Sequence, residues 1–396
     1  MPAKFYPNPD PSEEATRLDL RSRFREAVRV VLETALEETL RELVGAGRYQ
    51  RVASRVDERN GSYSRELLTS HGRVELAVPR GRTSGSPAGE VLGRYQRRSA
   101  EIDDAVLAAY VQGVSTRGMD KVTEALLGER VSRSTVSRVA KQLDERVDAL
   151  RKERIEGPIK YLFLDALYLD VRWARAVENV SALVAYGVGS DGHRRLLGIS
   201  LGTEESEQSW SELLQQLLGR GLAGVELVIS DAHAGITKAV RHLLPESRHQ
   251  RCVVHLMRNV LGNVPHRLRQ RVGGELSSIF AADSLKKARE LLEQFKAGLG
   301  KQVPEALQTL TDGFSAATQF FAFPKAHWKR IRSNNGLERL NREIRRRTDS
   351  VGAFPDRAAA LRLVTATALN ATARWAARRY LDLAAPAVGQ NGVGHA

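Results

Sequence analysis

Residues 158–202, PIKYLFLDALYLDVRWARAVENVSALVAYGVGSDGHRRLLGISLG, switch the chain from helical to extended periodicity. YLFLDALYLDVRW (161–173) and SALVAYGVGSDGHRRLLGISLG (181–202), then VELVIS (225–230), are apolar runs rich in aromatic and β-branched residues and read as three or four strands. Gly192 in SDGH supplies a hairpin turn, and a helix over 206–218 precedes VELVIS. Antiparallel strands followed by a crossover helix and a further buried strand define an α/β sheet. Within the first strand Phe163, Asp165, Leu167 and Leu169 share one face. A carboxylate among large apolar neighbours is costly unless it is paired or binds a metal. Asp170 falls on the opposite face with Tyr168 and Arg172 and reads as solvated.

Asp231 follows VELVIS at the carboxyl end of a strand, where open α/β sheets place their ligands. Its alternative reading is the N-cap of a helix starting near His233 or Ala234. Residues 236–330 are helical by period and separate Asp231 from RSNNGLERLNREIRRR (332–347). At about 100° per residue, Glu338, Asn341, Arg342 and Arg345 share one face of that last helix, and Leu337, Leu340 and Ile344 share another. Glu343 lies about 140° away from Glu338, so the two cannot line one site. Asn335-Gly-Leu-Glu338 also has the form of a weak capping box. Three such carboxylates have the chemistry to hold two divalent ions for phosphodiester displacement, and Mg²⁺ suits oxygen ligands.

The charge supports a polyanionic partner. The 396 residues carry a net +14, which favours nucleic acid over a small acidic substrate. The excess is concentrated: residues 241–271 hold seven Arg against one acid, and 327–347 hold eight Lys or Arg against two. Lys329, Arg330 and Arg332, and Arg339, Arg342, Arg345 and Arg346 on the last helix, read as phosphate contacts. Trp328 reads by default as a core side chain, with base stacking as its alternative. Cys252 is the single cysteine, which excludes an internal disulfide framework and fits a reducing compartment. Cys252-Val-Val-His255, with His249 nearby, is short of the four ligands of a structural zinc site. The N-terminus lacks an export signal and no run is long enough to span a bilayer, so a soluble, cytoplasmic protein is expected.

Upstream, residues 13–46 read as one amphipathic helix carrying Leu20, Phe24, Val28, Val31, Leu32, Ala35 and Leu36. Residues 50–100 are Arg-rich, and within them RVELAVPRGR predicts one short strand; Arg80 and Arg82 follow it in a basic turn. VTEALLGERVSRSTVSRVAKQLDERV (122–147) has the cadence of a helix-turn-helix with Gly128 at the break. Ser132 or Ser134 would cap its second helix, leaving Arg133, Thr135, Ser137 and Arg138 exposed for DNA, although a plain helical hairpin has the same periodicity. The organisation expected is a mainly helical DNA-binding region (1–155), a catalytic domain (156–355) with an all-α insertion at about 236–330, and a final helix over 356–384 within a C-terminal segment (356–396) that ends in a frayed tail.

These motifs resemble one family. ERNGSYSRELLTSHGRVELAVPRGR (58–82), GVSTRGM (113–119), YLFLDALYLDVR, VISDAHAGI (228–236), RCVVHLMRNV (251–260) and above all NNGLERLNREIRRRT (334–348) resemble the bacterial insertion-sequence transposases related to plant Mutator elements, within the Asp-Asp-Glu superfamily. The resemblance covers nearly the whole chain. It implies an RNase H-like catalytic domain, a triad of Asp165, Asp231 and Glu338 binding Mg²⁺ (with Mn²⁺ able to substitute), and a Cys252–His255 motif. It also implies double-stranded DNA as partner, both terminal inverted repeats and target, a homo-oligomer of at least two copies, and a nucleoid-associated location. The alternative is a domesticated DNA-binding regulator without strand transfer; the presence of all three acids disfavours it. Asp170 departs from the family pattern, where a basic or neutral residue is expected.

Overall fold

The computed structural model describes residues 11–93, 96–173 and 176–383, and the expected C-terminal tail lies outside them. The chain divides into two compact units, residues 1–140 and 141–396.

The first unit contains α1 (Pro11–Val44), a hairpin of β1 (Arg59–Thr69) and β2 (Gly72–Gly81), and α2 (Ala88–Val91), α3 (Ala100–Val111), α4 (Met119–Leu127) and α5 (Arg133–Ala140). In β2 the alternation of Val74, Leu76 and Val78 buries one face. These side chains pack with Leu36 of α1, Leu67 of β1, and Ala88 and Leu92. The sequence led to one strand here; β1 was missed because NGSYSRELL carries apolar residues only at its end and is exposed over most of its length. The apolar face of the hairpin packs on α1 at Val28, Leu32 and Leu36, and its turn residue His71 stacks on Phe24 at 5.1 Å. Leu20 and Phe24, before that cluster, and Val31, which turns away from it, were expected on the packed face and are exposed. The helix-turn-helix cadence corresponds to α4 and α5: Gly128 ends α4 in the left-handed region, and Ser132 Oγ accepts from the Thr135 backbone N–H at 3.3 Å.

The second unit opens with α6 (Leu143–Lys152) and continues as β3 (Ile159–Trp173), β4 (Ala176–Gly189), β5 (Arg194–Gly202), α7 (Glu207–Gly219), β6 (Leu227–Ser230), α8 (Ala234–Leu243) and β7 (Arg248–Arg251). The helices α9 (Val253–Gly262), α10 (His266–Phe280), α11 (Leu285–Ala297), α12 (Pro304–Ala317), α13 (Lys325–Ile331), α14 (Asn335–Val351) and α15 (Arg357–Thr372) follow. Strands order as β5-β4-β3-β6-β7 in one five-stranded sheet. β3, β4 and β5 run antiparallel, and β6 and β7 run parallel to β3. The even positions Leu162 and Leu164 turn to one side and pack with Trp210, Leu213, Leu214 and Leu217 of α7 and Ile236, Ala239 and Val240 of α8. At about 25 cal/mol per Å² of apolar surface, burial of these large side chains is the main force closing that face.

Two boundaries differ from expectation. The run read as helical from 236 contains β7, so the purely helical stretch starts only at Val253. RHQR is four polar residues, and only pairing with β6 makes it a strand. The last helix ends at Thr372 rather than 384. Beyond it the chain folds back, and the Tyr380 and Leu381 backbone N–H groups donate to Gly192 O. Among the described residues no helix is long and apolar enough to cross a membrane.

Candidate active site

The sheet itself brings Asp165 and Asp231 together. β6 pairs with β3 only over Tyr161–Phe163, with Phe163 opposite Ile229. Continuing that register by two residues directs Asp231, just past the end of β6, toward Asp165, and the charge of Asp231 raises the Asp165 pKa. β6 pairs no further, and the next backbone partner of β3 on that side is Phe354, which bridges Val171, so the sheet is open between Phe163 and Asp170, where Asp165 lies. Asp231 accepts from the His233 backbone N–H at 3.2 Å. The capping reading of Asp231 is excluded, because the N-cap of α8 is His233, whose side chain accepts from the Gly235 N–H.

Helix α14 carries Glu338 to the same place through two asparagines. Buried Asn334 donates from Nδ2 to Leu164 O at 3.0 Å, and its backbone N–H donates to Cys252 Sγ at 3.3 Å. Two turns on, Asn341 Nδ2 donates to Asp165 Oδ2 at 2.8 Å. Gly336 lies against Tyr186, and a Cβ there would come within 2.6 Å of the phenol oxygen. Glu338 projects between these contacts. Its Oε1 lies 3.5 Å from Arg258 Nη2 and 3.9 Å from His255 Nε2. The cap of α14 is Asn334, with no side-chain cap bond, so Glu338 closes no capping box. Glu343 turns elsewhere and pairs with Arg346 at 3.1 Å. Leu337, Leu340 and Ile344 are buried and Arg339, Arg342 and Arg345 are exposed, as the helical arithmetic requires.

Burial, then the charges of Asp231, Glu205 and Glu338, push the Asp165 carboxyl up to about 7, against the hydrogen bond it accepts from the Ala166 N–H. A carboxyl raised by burial and by neighbouring acids is relieved by taking a proton or by a nearby cation. Oxygen donors of this kind fit a hard divalent ion. Among the described residues, however, no group of three or more His, Cys, Asp or Glu side chains is arranged to hold a metal ion. Mg²⁺ keeps several waters and takes further ligands from substrate phosphates, so one or two carboxylates at a time suffice for it.

Glu205 escaped the sequence reading. It is 9% exposed, receives the Tyr168 hydroxyl at 3.3 Å, and has its pKa raised by burial and by Asp231. In GTEESEQSW it resembles one of several solvated acids. The local signal was at Gly235, where a Cβ would lie 2.8 Å from Glu205 O: only glycine lets the starts of α7 and α8 approach this closely.

The accessory residues divide. Cys252 is buried at the N-cap of α9, and burial pushes its thiol up to about 11. That buried thiol accepts the Asn334 backbone N–H at 3.3 Å and packs the start of α9 against α14. His255 is half-buried beside Glu338, and burial lowers its pKa. His249 is tied to Ser230 Oγ at 2.7 Å, and burial lowers its pKa to about 4. Lys329 and Arg330 are exposed, whereas Arg332 donates to Phe280 O at 2.8 Å and is held in the fold. Trp328 is half-buried: it packs on Phe320 and Phe321 and donates to Phe323 O at 2.6 Å, with Lys325 over its ring. On α5, Arg133 and Arg138 are exposed.

The family profile described as "Transposase, Mutator family" matches residues 11–378. The chain is 38% identical over 360 residues to the transposase for insertion sequence element ISRM5 of Rhizobium meliloti, covering 91% of this chain and 90% of that protein. It is 38% identical to the transposase for IS1081 of Mycobacterium tuberculosis, covering 86% and 83%. It is 35% identical to the transposase for IS256 in transposon Tn4001 of Staphylococcus aureus, covering 89% and 91%. With the family profile spanning residues 11–378 and these relatives matched over most of their length, the chain belongs to the Mutator family of transposases.

Proposed function

We propose that the protein binds the terminal inverted repeats of an insertion sequence, cleaves a strand to free a 3′-hydroxyl, and joins that hydroxyl to target DNA. The observation that supports this reading is that the charges of Asp231 and Glu338, from two other elements, act on the Asp165 carboxyl, which Asn341 of the Glu338 helix also bonds. The strand order, three antiparallel strands followed by two parallel ones, supports an RNase H-like catalytic domain interrupted by the helices from Val253 to Ile331. Asp165, Asp231 and Glu338 would hold a pair of divalent ions. Bound there, Mg²⁺ or Mn²⁺ would supply activation of the attacking water or 3′-hydroxyl and stabilisation of the leaving oxygen.

The chain's own groups do the rest. Asn341 fixes the Asp165 carboxylate in rotation through Oδ2. Neutral His255 faces Glu338 through Nε2, positioned to take up a proton or touch DNA. Exposed Arg339, Arg342 and Arg345 line the solvent side of α14 with fixed positive charge for the phosphates flanking the acids. On α5, Arg133 and Arg138 bind the terminal repeats, and pairing two ends requires at least two copies of the chain.

The test is incubation of the protein with DNA carrying the element's ends. Mg²⁺-dependent release of a 3′-hydroxyl and its covalent joining to a second duplex are expected, with no product in EDTA. Product formed equally in EDTA overturns the reading. Arg133→Ala and Arg138→Ala are each expected to weaken end binding and to reduce the slope of log affinity against log salt by about 1. An unchanged slope in fluorescence anisotropy would remove α5 from the interface.

A further inference from the structure

A second feature of the catalytic unit is not accounted for by the acids. The segment after α15 folds back on the β4–β5 turn and creates a cleft of about 420 Å³, lined by Arg194, Arg330, Arg339, Trp375, Arg378 and Tyr380. The Arg194 guanidinium lies 4.2 Å from the centre of the Trp375 ring and 4.4 Å from that of Tyr380, and Arg330 approaches Tyr380 at 5.0 Å. Cation–π contact stabilises such a pair, but it does not neutralise the charge.

Of the five arginines lining this cleft, Arg379 pairs with Asp382 at 3.8 Å and the other four lack counterions. Among the described residues, Arg194, Arg330, Arg339 and Arg378 form no ion pair. The one acid lining the cleft, Glu343, is committed to Arg346. Arg194 is half-buried, and its Nε has no hydrogen-bond partner. Burial lowers its pKa, and the charges of Arg330 and Arg339 lower it further. Like charges held together beside stacking surfaces fit a ligand that is both anionic and aromatic. The cleft also connects to the acids. Asn335 and Gly336, just before Glu338, belong to its wall. Trp375 meets Tyr186 edge-on at 5.1 Å, and Tyr186 stacks at 4.5 Å on Phe163, two residues before Asp165.

We propose that this cleft holds an unpaired nucleotide of the DNA strand being processed, its base against Trp375 and the guanidinium planes and its phosphate on Arg339 and Arg378. A paired base is stacked within its duplex and presents no free face to a ring, so the aromatic lining selects a nucleotide that has left the stack. The proposal rests on the reading of the protein as a DNA strand-processing enzyme and adds a single-strand site to it.

The full-length protein in EDTA is titrated against a fluorescein-labelled duplex bearing a short single-stranded tail and against the same duplex with blunt ends. The tailed duplex is expected to bind about tenfold more tightly, the effect of stacking one base. Trp375→Ala and Arg378→Ala are each expected to remove that preference while leaving blunt-duplex affinity within about twofold. Trp375→Phe is expected to retain most of it. Equal binding of both duplexes by the unaltered protein overturns the proposal, as does equal weakening of both by Trp375→Ala in a variant with native circular dichroism. If Trp375→Ala does not fold, exposed Arg378 decides the matter. A tail preference without strand-transfer product sinks the transposition chemistry and leaves this site standing; product without a tail preference sinks this site alone.

Discussion

Asp165→Asn is expected to reduce strand cleavage and joining by at least about 10³-fold, the scale of losing a group that holds the ions of a two-metal site. Binding of end-containing DNA should persist, because the phosphate contacts lie on other side chains. The substitution should also stabilise the metal-free protein. An unfolded aspartate titrates near 4, whereas burial and the neighbouring acids lift Asp165 to about 7 in the fold. Between those values the folded state binds the extra proton, so stability falls as pH rises from about 4 to 7 and stays low above it. Asparagine occupies the same volume without this penalty. At pH 8 the gain is expected on the order of 4 kcal/mol, seen as a rise of several degrees in Tm, and it should largely vanish at pH 4. Mg²⁺ should raise the Tm of the unaltered protein and not that of Asp165→Asn. Glu338→Gln should match the loss of activity, while Glu343→Gln should stay near full activity. Full activity in Asp165→Asn, or a Tm difference independent of pH, would remove Asp165 from the role assigned to it.

Gly336→Ala is expected to cut activity by about 10²-fold although glycine at this position touches no acid. The added methyl would meet the Tyr186 oxygen at 2.6 Å, and Tyr186 has little room to yield because it stacks on Phe163 within the sheet. The first turn of α14 must therefore move away from β3, carrying Glu338 out of line and stretching the bond from Asn334 to Leu164. Overpacking of this kind costs about 1–3 kcal/mol. Gly336→Ala with Tyr186→Phe, which removes the colliding oxygen, should recover much of the activity. Recovery distinguishes displacement of the helix from general loss of fold, and its absence would show that Gly336 acts through something other than that contact.

The chain made some of this site legible by local rules alone. Alternation along YLFLDALYLD separates Asp165 from Asp170, and 100° per residue separates Glu338 from Glu343. Both follow from repeating backbone geometry, which a sequence displays directly. The crossover order and the break at Gly128 were legible for the same reason. The partners of these residues were not. Asp231 stands next to Asp165 because of the β3–β6 register, Asn341 reaches Asp165 across 176 positions of sequence, and Glu205 joins them because Gly235 permits a close approach. β7 is a strand by pairing and not by composition, and the turn that brings Trp375 and Tyr380 to Arg194 lies where helical periodicity appeared to continue. Local sequence determined which face each acid occupies. Only tertiary packing decided which acids meet, because register and close approach are properties of two segments together, and neither segment carries them alone.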